Sequence, residues 1–169
     1  YEDTNFFIVS DHGQIEIRRS VALNALLAEE GLLDVAPDGT LKDWTAFAKS
    51  GGTSALVYLK DPADQVAWNK TKLALEKLRD SEVCGIGEIL TEAEAQERYH
   101  LGGDFAFVIE TDGWTSFSTS WLKPVQKPLD NSDYRFGRAT HGHEPEKGPQ
   151  PTLMAFGPDI QPGAHLDTA

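Results

Sequence analysis

Asp and His are residue types that ligate zinc-class cations, and this chain carries them in two short motifs far apart in sequence. Ser10-Asp11-His12-Gly13 follows an apolar run near the N-terminus, and Thr140-His141-Gly142-His143 lies near the C-terminus. A carboxylate and neutral imidazoles are donors for such ions, and a glycine beside them lets the backbone turn tightly next to the metal. Together the motifs suggest half of a two-metal phosphoryl-transfer site whose other half is missing. Adjacent residues of an extended strand point to opposite faces, so Asp11 and His12 can share an ion only where the strand ends and the backbone turns. Read singly, Asp-His-Gly is a turn with a polar loop, and His141 a solvated or hydrogen-bonded loop histidine. His143, two residues on, can face the same side as His141.

The elements that must position these residues follow from hydrophobic period and turn chemistry. Residues 6–10 form a short continuous apolar run, which predicts a central strand buried on both faces. Ligands in open α/β sheets sit beyond the carboxyl ends of strands, where Asp11 and His12 fall. Ser20 is placed to cap a helix carrying Leu23, Leu26 and Leu27, with Gly31 as its stop. Pro37-Asp38-Gly39 predicts a turn between residues 32–35 and 41–47.

A second compositional unit starts near Gly51-Gly52. Residues 55–59 read as a strand closed by Asp61-Pro62. Residues 63–79 show helical spacing through Ala67, Thr71, Ala74, Leu75 and Leu78. Residues 83–90 predict a strand, and Thr91 with Glu94 a capping box for a helix reaching about Tyr99. Residues 105–110 and 114–118 flank Thr111-Asp112-Gly113, a hairpin signal. Residues 122–150 are rich in Pro, Gly and charge and read as loop. Residues 152–157 give a last strand stopped by Pro158, and residues 159–169 carry turn chemistry.

The net charge of −12 over 169 residues argues against a nucleic-acid polymer as partner, which needs a basic surface. It leaves phosphate chemistry open, because bound divalent cations dominate the local field. No apolar run approaches the roughly 18 residues of a membrane helix. Cys84 is the single cysteine, reads as a buried apolar thiol and favours a reducing, cytoplasmic setting.

Residues 7–13, with Leu23-Asn24-Ala25-Leu26-Leu27 and Gly31-Leu32, resemble the type I phosphodiesterase/nucleotide pyrophosphatase family of the alkaline phosphatase superfamily. So do Ala139-Thr140-His141-Gly142-His143-Glu144-Pro145 and residues 151–158. The resemblance covers most of the chain but only the C-terminal part of a family member. It implies an α/β fold: part of an alkaline-phosphatase-like α/β/α sandwich, with residues 1–50 and 120–169 as core and residues 51–119 as a small inserted α+β subdomain.

The resemblance also implies a function, a two-metal hydrolase of phosphodiester or pyrophosphate bonds. Two ions roughly 3.5–4 Å apart clamp the attacking and leaving oxygens of an in-line displacement. Asp11 and His12 take the ligand positions of one zinc and His141 that of the second, with manganese tolerated by the same donors. The family usually has Tyr or Phe where His143 stands, which leaves His143 as a substrate-pocket residue or a supporting neighbour of the ligands. Trp114, beside the expected hairpin, is the first choice among four tryptophans to lie over a nucleobase. The family's Thr or Ser nucleophile and its other ligands precede the first motif. No residue here takes the nucleophile's place, so this piece alone is expected to be inert. The implied partners are a small phosphorylated substrate, such as a nucleotide, and the N-terminal half of the same protein. Other activities on this scaffold, a phosphonate hydrolase or a phosphoglycerate mutase, and a non-catalytic binding module are the rival expectations. Glu88, Glu92, Glu94 and Glu97 read as a solvated acidic face.

Overall fold

The computed structural model describes residues 2–130, 132–133 and 137–165, so the last four residues of the expected C-terminal turn lie outside the described residues. The chain begins with β1 (Phe6–Val9), β2 (Ile15–Glu16), β3 (Arg19–Ala22) and α1 (Leu23–Glu29). The hairpin β4 (Leu33–Val35) and β5 (Leu41–Trp44) leads into β6 (Ala46–Ser50), β7 (Ser54–Leu59) and α2 (Gln65–Asp80). Next come β8 (Ile86–Thr91), α3 (Glu92–Tyr99), β9 (Phe107–Thr111) and β10 (Thr115–Ser118). β11 (Gln126–Pro128), β12 (Ala139–Thr140), a 3-10 turn (Pro145–Lys147) and β13 (Leu153–Phe156) complete the order. The fold is mixed α/β. Among the described residues no helix is long and apolar enough to cross a membrane.

The centre is an antiparallel sheet in the order β6-β7-β9-β8. All five residues of β9, Phe-Val-Ile-Glu-Thr, are buried, and the period of two divides them between layers. Phe107 and Ile109 join Leu75 and Leu78 of α2 and Leu23 and Leu27 of α1 in the main core. Val108 joins Leu90, Ala95 of α3 and Phe105 in a smaller cluster. Burying a side chain the size of Phe107 contributes about 2–3 kcal/mol. Residues 51–119 thus share one core with residues 21–48.

The helices form as their sequences dictate. Asp64 caps α2 by accepting from the Val66 and Ala67 N–H groups, both at 2.9 Å. The helix buries Ala67, Thr71, Ala74, Leu75 and Leu78, the predicted stripe. Thr91 and Glu94 form the predicted capping box on α3. Within the acidic face Glu94 and Glu97 are exposed as expected, while Glu88 also pairs with Arg98 at 2.5 Å and Glu94 with that cap.

Several expectations need correction. β1 is not a doubly buried central strand: among the described residues it pairs only with β13, antiparallel. Phe7 is 64% exposed, and Ile8, Val9, Leu153, Met154 and Phe156 are also exposed. An apolar run signals burial only where neighbours exist to cover it. Ser20 does not cap α1; it lies in β3, and Ala22 stands at the N-cap without a side-chain bond. The strand expected from residue 83 begins at Ile86, after Gly85 at φ +70°.

Thr111-Asp112-Gly113 does not close a hairpin. β10 leaves β9 and pairs in parallel with β3. Arg19 of β3 draws it there, donating to Thr115 Oγ1 at 2.8 Å and pairing with Asp112. Residues 122–150 are not all loop, since β11 pairs with β3 and β12 with β2.

Candidate metal centre

Two short ladders bring the histidine motifs together. β1 ends at Val9, and Ser10 is tied to Thr152 twice, donating its N–H at 3.0 Å and accepting at its hydroxyl at 2.9 Å. Five residues on from Ser10, β2 pairs with β12, Ile15 opposite Thr140 and Glu16 opposite Ala139. The chain therefore enters β2 from His12-Gly13 and leaves β12 into His141 at the same end of that ladder. The His12 and His141 rings stack, centroids 4.2 Å apart and planes 29° apart.

The proton on His12 is placed by its neighbours. Nδ1 lies 3.0 Å from the Gly13 carbonyl oxygen, which can only accept, so Nδ1 carries hydrogen. In the neutral ring Nε2 is then the lone-pair nitrogen, the form that binds metal. Nε2 faces Asp11 Oδ2 at 3.3 Å. Two lone pairs that close repel unless a proton or a cation lies at Nε2. Asp11 is exposed and its other oxygen accepts from the His12 N–H at 3.1 Å. In chemistry, Asp11, His12 and His141 are donors of the kind that bind divalent cations. In number they do not complete a site: among the described residues, no group of three His, Cys, Asp or Glu is arranged to hold an ion.

His143 turns inward. Its Nε2 side packs against Gly148 so closely that a side chain there would collide with the ring. Its Nδ1 is buried without a hydrogen-bond partner. Burial first, then the nearby charges of His12 and His141, hold its pKa below the usual histidine value and favour the neutral ring. Trp114 is exposed, with the Arg18 guanidinium 3.7 Å over its ring centroid. It lines a cleft of about 850 Å³ with Ile15, Glu16, Glu88 and Lys147.

Two features escape the sequence reading. The first is an ion cluster behind the His141 loop, built around one buried carboxylate. Lys147 Nζ donates to the Thr111 carbonyl at 3.0 Å and lies 3.5 Å from Glu110 and 3.4 Å from Glu144. Glu110 is 2% exposed, and desolvation pushes its carboxyl up to about 7 against the opposing charge of Lys147. A lone carboxylate in the apolar run of β9 was the available signal. The second is Thr53, which donates to the His141 carbonyl; in the sequence it follows two glycines that read only as a boundary.

The family model for type I phosphodiesterase/nucleotide pyrophosphatase matches residues 1–143, which include all four motif residues Asp11, His12, His141 and His143. No curated protein sequence matches the chain. Murine ectonucleotide pyrophosphatase/phosphodiesterase 5 has a similar structure at TM-score 0.53 and 17% identity, over 91% of this chain and 34% of that one. An inactive form of that murine protein, in complex with AMP, matches with the same figures. Phosphonoacetate hydrolase from Sinorhizobium meliloti 1021, in complex with phosphonoformate, is similar at TM-score 0.53 and 16% identity, over 95% of this chain and 38% of that one. At these identities the likeness is one of fold. The chain spans about a third of the length of the structures it resembles.

Proposed function

Because this chain belongs to the type I phosphodiesterase/nucleotide pyrophosphatase family, we propose that it is the metal-binding C-terminal portion of a hydrolase cleaving phosphodiester or pyrophosphate bonds. The observation that carries the reading is the stacked His12–His141 pair, with His12 Nε2 3.3 Å from the Asp11 carboxylate. Asp11 and His12 are the proposed ligands of one divalent ion and His141 of a second, zinc being the natural choice for mixed carboxylate and imidazole donors. Such a pair of ions, when bound, neutralises phosphoryl charge and orients the attacking and leaving oxygens.

The chain's own residues then have defined tasks. Asp11 supplies negative charge at an exposed strand end. The Gly13 carbonyl keeps the proton on His12 Nδ1, so that Nε2 stays a donor of electrons. His143, held neutral, is a substrate-pocket wall that adds no charge, and Trp114 offers a ring face to a base from the adjacent cleft. The complex of the murine relative with AMP supports a nucleotide as the substrate class. Residues 51–119 are read as an insert in sequence between residues 1–50 and 120–169, packed on one core with residues 21–48, and the lone buried thiol suits a reducing, cytoplasmic setting.

The remaining ligands and the Thr or Ser nucleophile are proposed to come from polypeptide outside this chain. The incomplete ligand group among the described residues, the one-third coverage of the solved relatives and the exposed apolar ribbon of β1 and β13 support that. The whole protein should hydrolyse a phosphodiester in preference to a phosphonate or a phosphomonoester in steady-state assays, whereas the 169-residue chain alone should show no turnover above its metal blank. Preference for the phosphonate would select a second reading, favoured by the hydrolase from Sinorhizobium meliloti. Preference for the monoester, or turnover by the chain alone, would contradict the proposal.

A further inference from the structure

The backbone of His141 is gripped by a turn from a different strand pair. Gly51, Gly52 and Thr53 join β6 to β7, and Thr53 places two donors on one acceptor. Its N–H and its hydroxyl both reach the His141 carbonyl oxygen at 2.9 Å. Thr53 is fully buried, so no bulk water competes for that hydroxyl. The approach is close enough that a Cβ on Gly52 would collide with the same carbonyl oxygen, and one on Gly142 with the Gly51 carbonyl oxygen. Both glycines have positive φ, +97° and +91°, which side chains rarely adopt.

The gripping turn is itself rigid. Gly51 N–H donates to the Ser54 carbonyl at 2.8 Å and Gly52 N–H to the Ser50 hydroxyl at 3.0 Å. The Gly52 carbonyl accepts from Phe117 N–H at 2.7 Å and from the Ser116 hydroxyl at 3.2 Å. The central sheet, through β6, β7 and the β10 strand beside them, thus sets the peptide plane from which the His141 ring projects.

We infer that Thr53 is a positioning residue that fixes the His141 ring against His12. Two donors on one carbonyl leave the His141–Gly142 peptide little freedom to rotate, and the stacking of the rings depends on that plane. Its purpose, ordering a metal ligand, rests on the reading of His141 proposed above. Partners that orient ligating histidines are worth about 10–100-fold in metal affinity.

Thr53→Val keeps the side-chain shape and the N–H bond but removes the hydroxyl, while Thr53→Ser restores it. In NMR spectra of the metal-free chain, the wild type and Thr53→Ser should show the ring-to-ring NOE between His12 and His141. Thr53→Val should lose it or broaden the His141 ring signals. Thr53→Ala repeats the comparison if valine strains the turn. Calorimetric titration of the whole protein with zinc chloride should show affinity lowered about tenfold in the hydroxyl-less variants and recovered in Thr53→Ser. An undiminished NOE in Thr53→Val and Thr53→Ala overturns the inference. If His141→Ala leaves zinc affinity unchanged, the reading of His141 as a ligand fails, and the NOE comparison still decides the role of Thr53.

Discussion

Asn24→Ala is expected to destabilise the chain by about 3–5 kcal/mol, enough to unfold many domains of this size. Asn24 is fully buried in α1. Its Nδ2 donates to the Ala48 carbonyl at 2.8 Å and the Thr119 carbonyl at 2.9 Å, and its Oδ1 accepts from the Ala48 N–H at 2.7 Å. Ala48 lies in β6, whose partner is β7, and β6 is an edge of the central sheet. The Asn24 amide therefore does for that edge what a further strand would do, pairing backbone groups that face away from β7. Alanine removes all three bonds and leaves three backbone groups without them, each costing about 1–3 kcal/mol. It also frees the segment after β10 from α1. Asn24→Asp keeps one acceptor but loses both donors and buries a charge, so it should be no better tolerated. Urea denaturation monitored by circular dichroism measures the effect. A loss under about 1 kcal/mol, the worth of one net hydrogen bond, would show that water or relaxation satisfies these groups.

Glu110 should make stability fall as pH rises through neutrality. Its carboxyl is raised from an ordinary 4.5 to about 7, chiefly by desolvation. The folded chain therefore holds a proton between those values that the unfolded chain has released. The stabilisation is complete below pH 4.5 and lost as pH passes the folded value. The shift is 7 minus 4.5, and at 1.36 kcal/mol per unit the whole effect is about 3 kcal/mol. Glu110→Gln keeps the shape and cannot ionise. It should raise the melting temperature at pH 8, change it little at pH 5, and flatten the profile between. Lys147 keeps the Thr111 carbonyl and Glu144 in that variant. Equal destabilisation by Glu110→Gln at both pH values would mean that the Lys147 ion pair, and not burial, governs the carboxyl.

Local chemistry was legible in the sequence and long-range pairing was not. The period of α2 and the Thr91–Glu94 box are written in residues within one or two turns of each other, and both formed as read. The two-residue signal Asp112-Gly113 names a turn but not its outcome, which Arg19, more than ninety positions away, decides through Asp112 and Thr115. β1 carries the composition of a covered strand, yet cover depends on neighbours that its own sequence does not specify. At the site, residue type and flanking glycines pointed to Asp11, His12 and His141, and the β2–β12 ladder brings the two histidine rings together. Thr53 and Glu110 were hidden because their roles come from what folds onto them. A Thr after two glycines and a Glu at the end of an apolar strand have ordinary readings until the His141 loop lies across both.

Asp11, His12 and His141 are the proposed cation ligands. Crystals of the whole protein grown with zinc, measured on both sides of the zinc absorption edge, test this most directly. Anomalous peaks are predicted within ~2.0–2.2 Å of an Asp11 oxygen and of His12 Nε2, and at the same distance from His141 for the second ion. Zinc held by His143 in place of His141, or no peak at either motif, would contradict it.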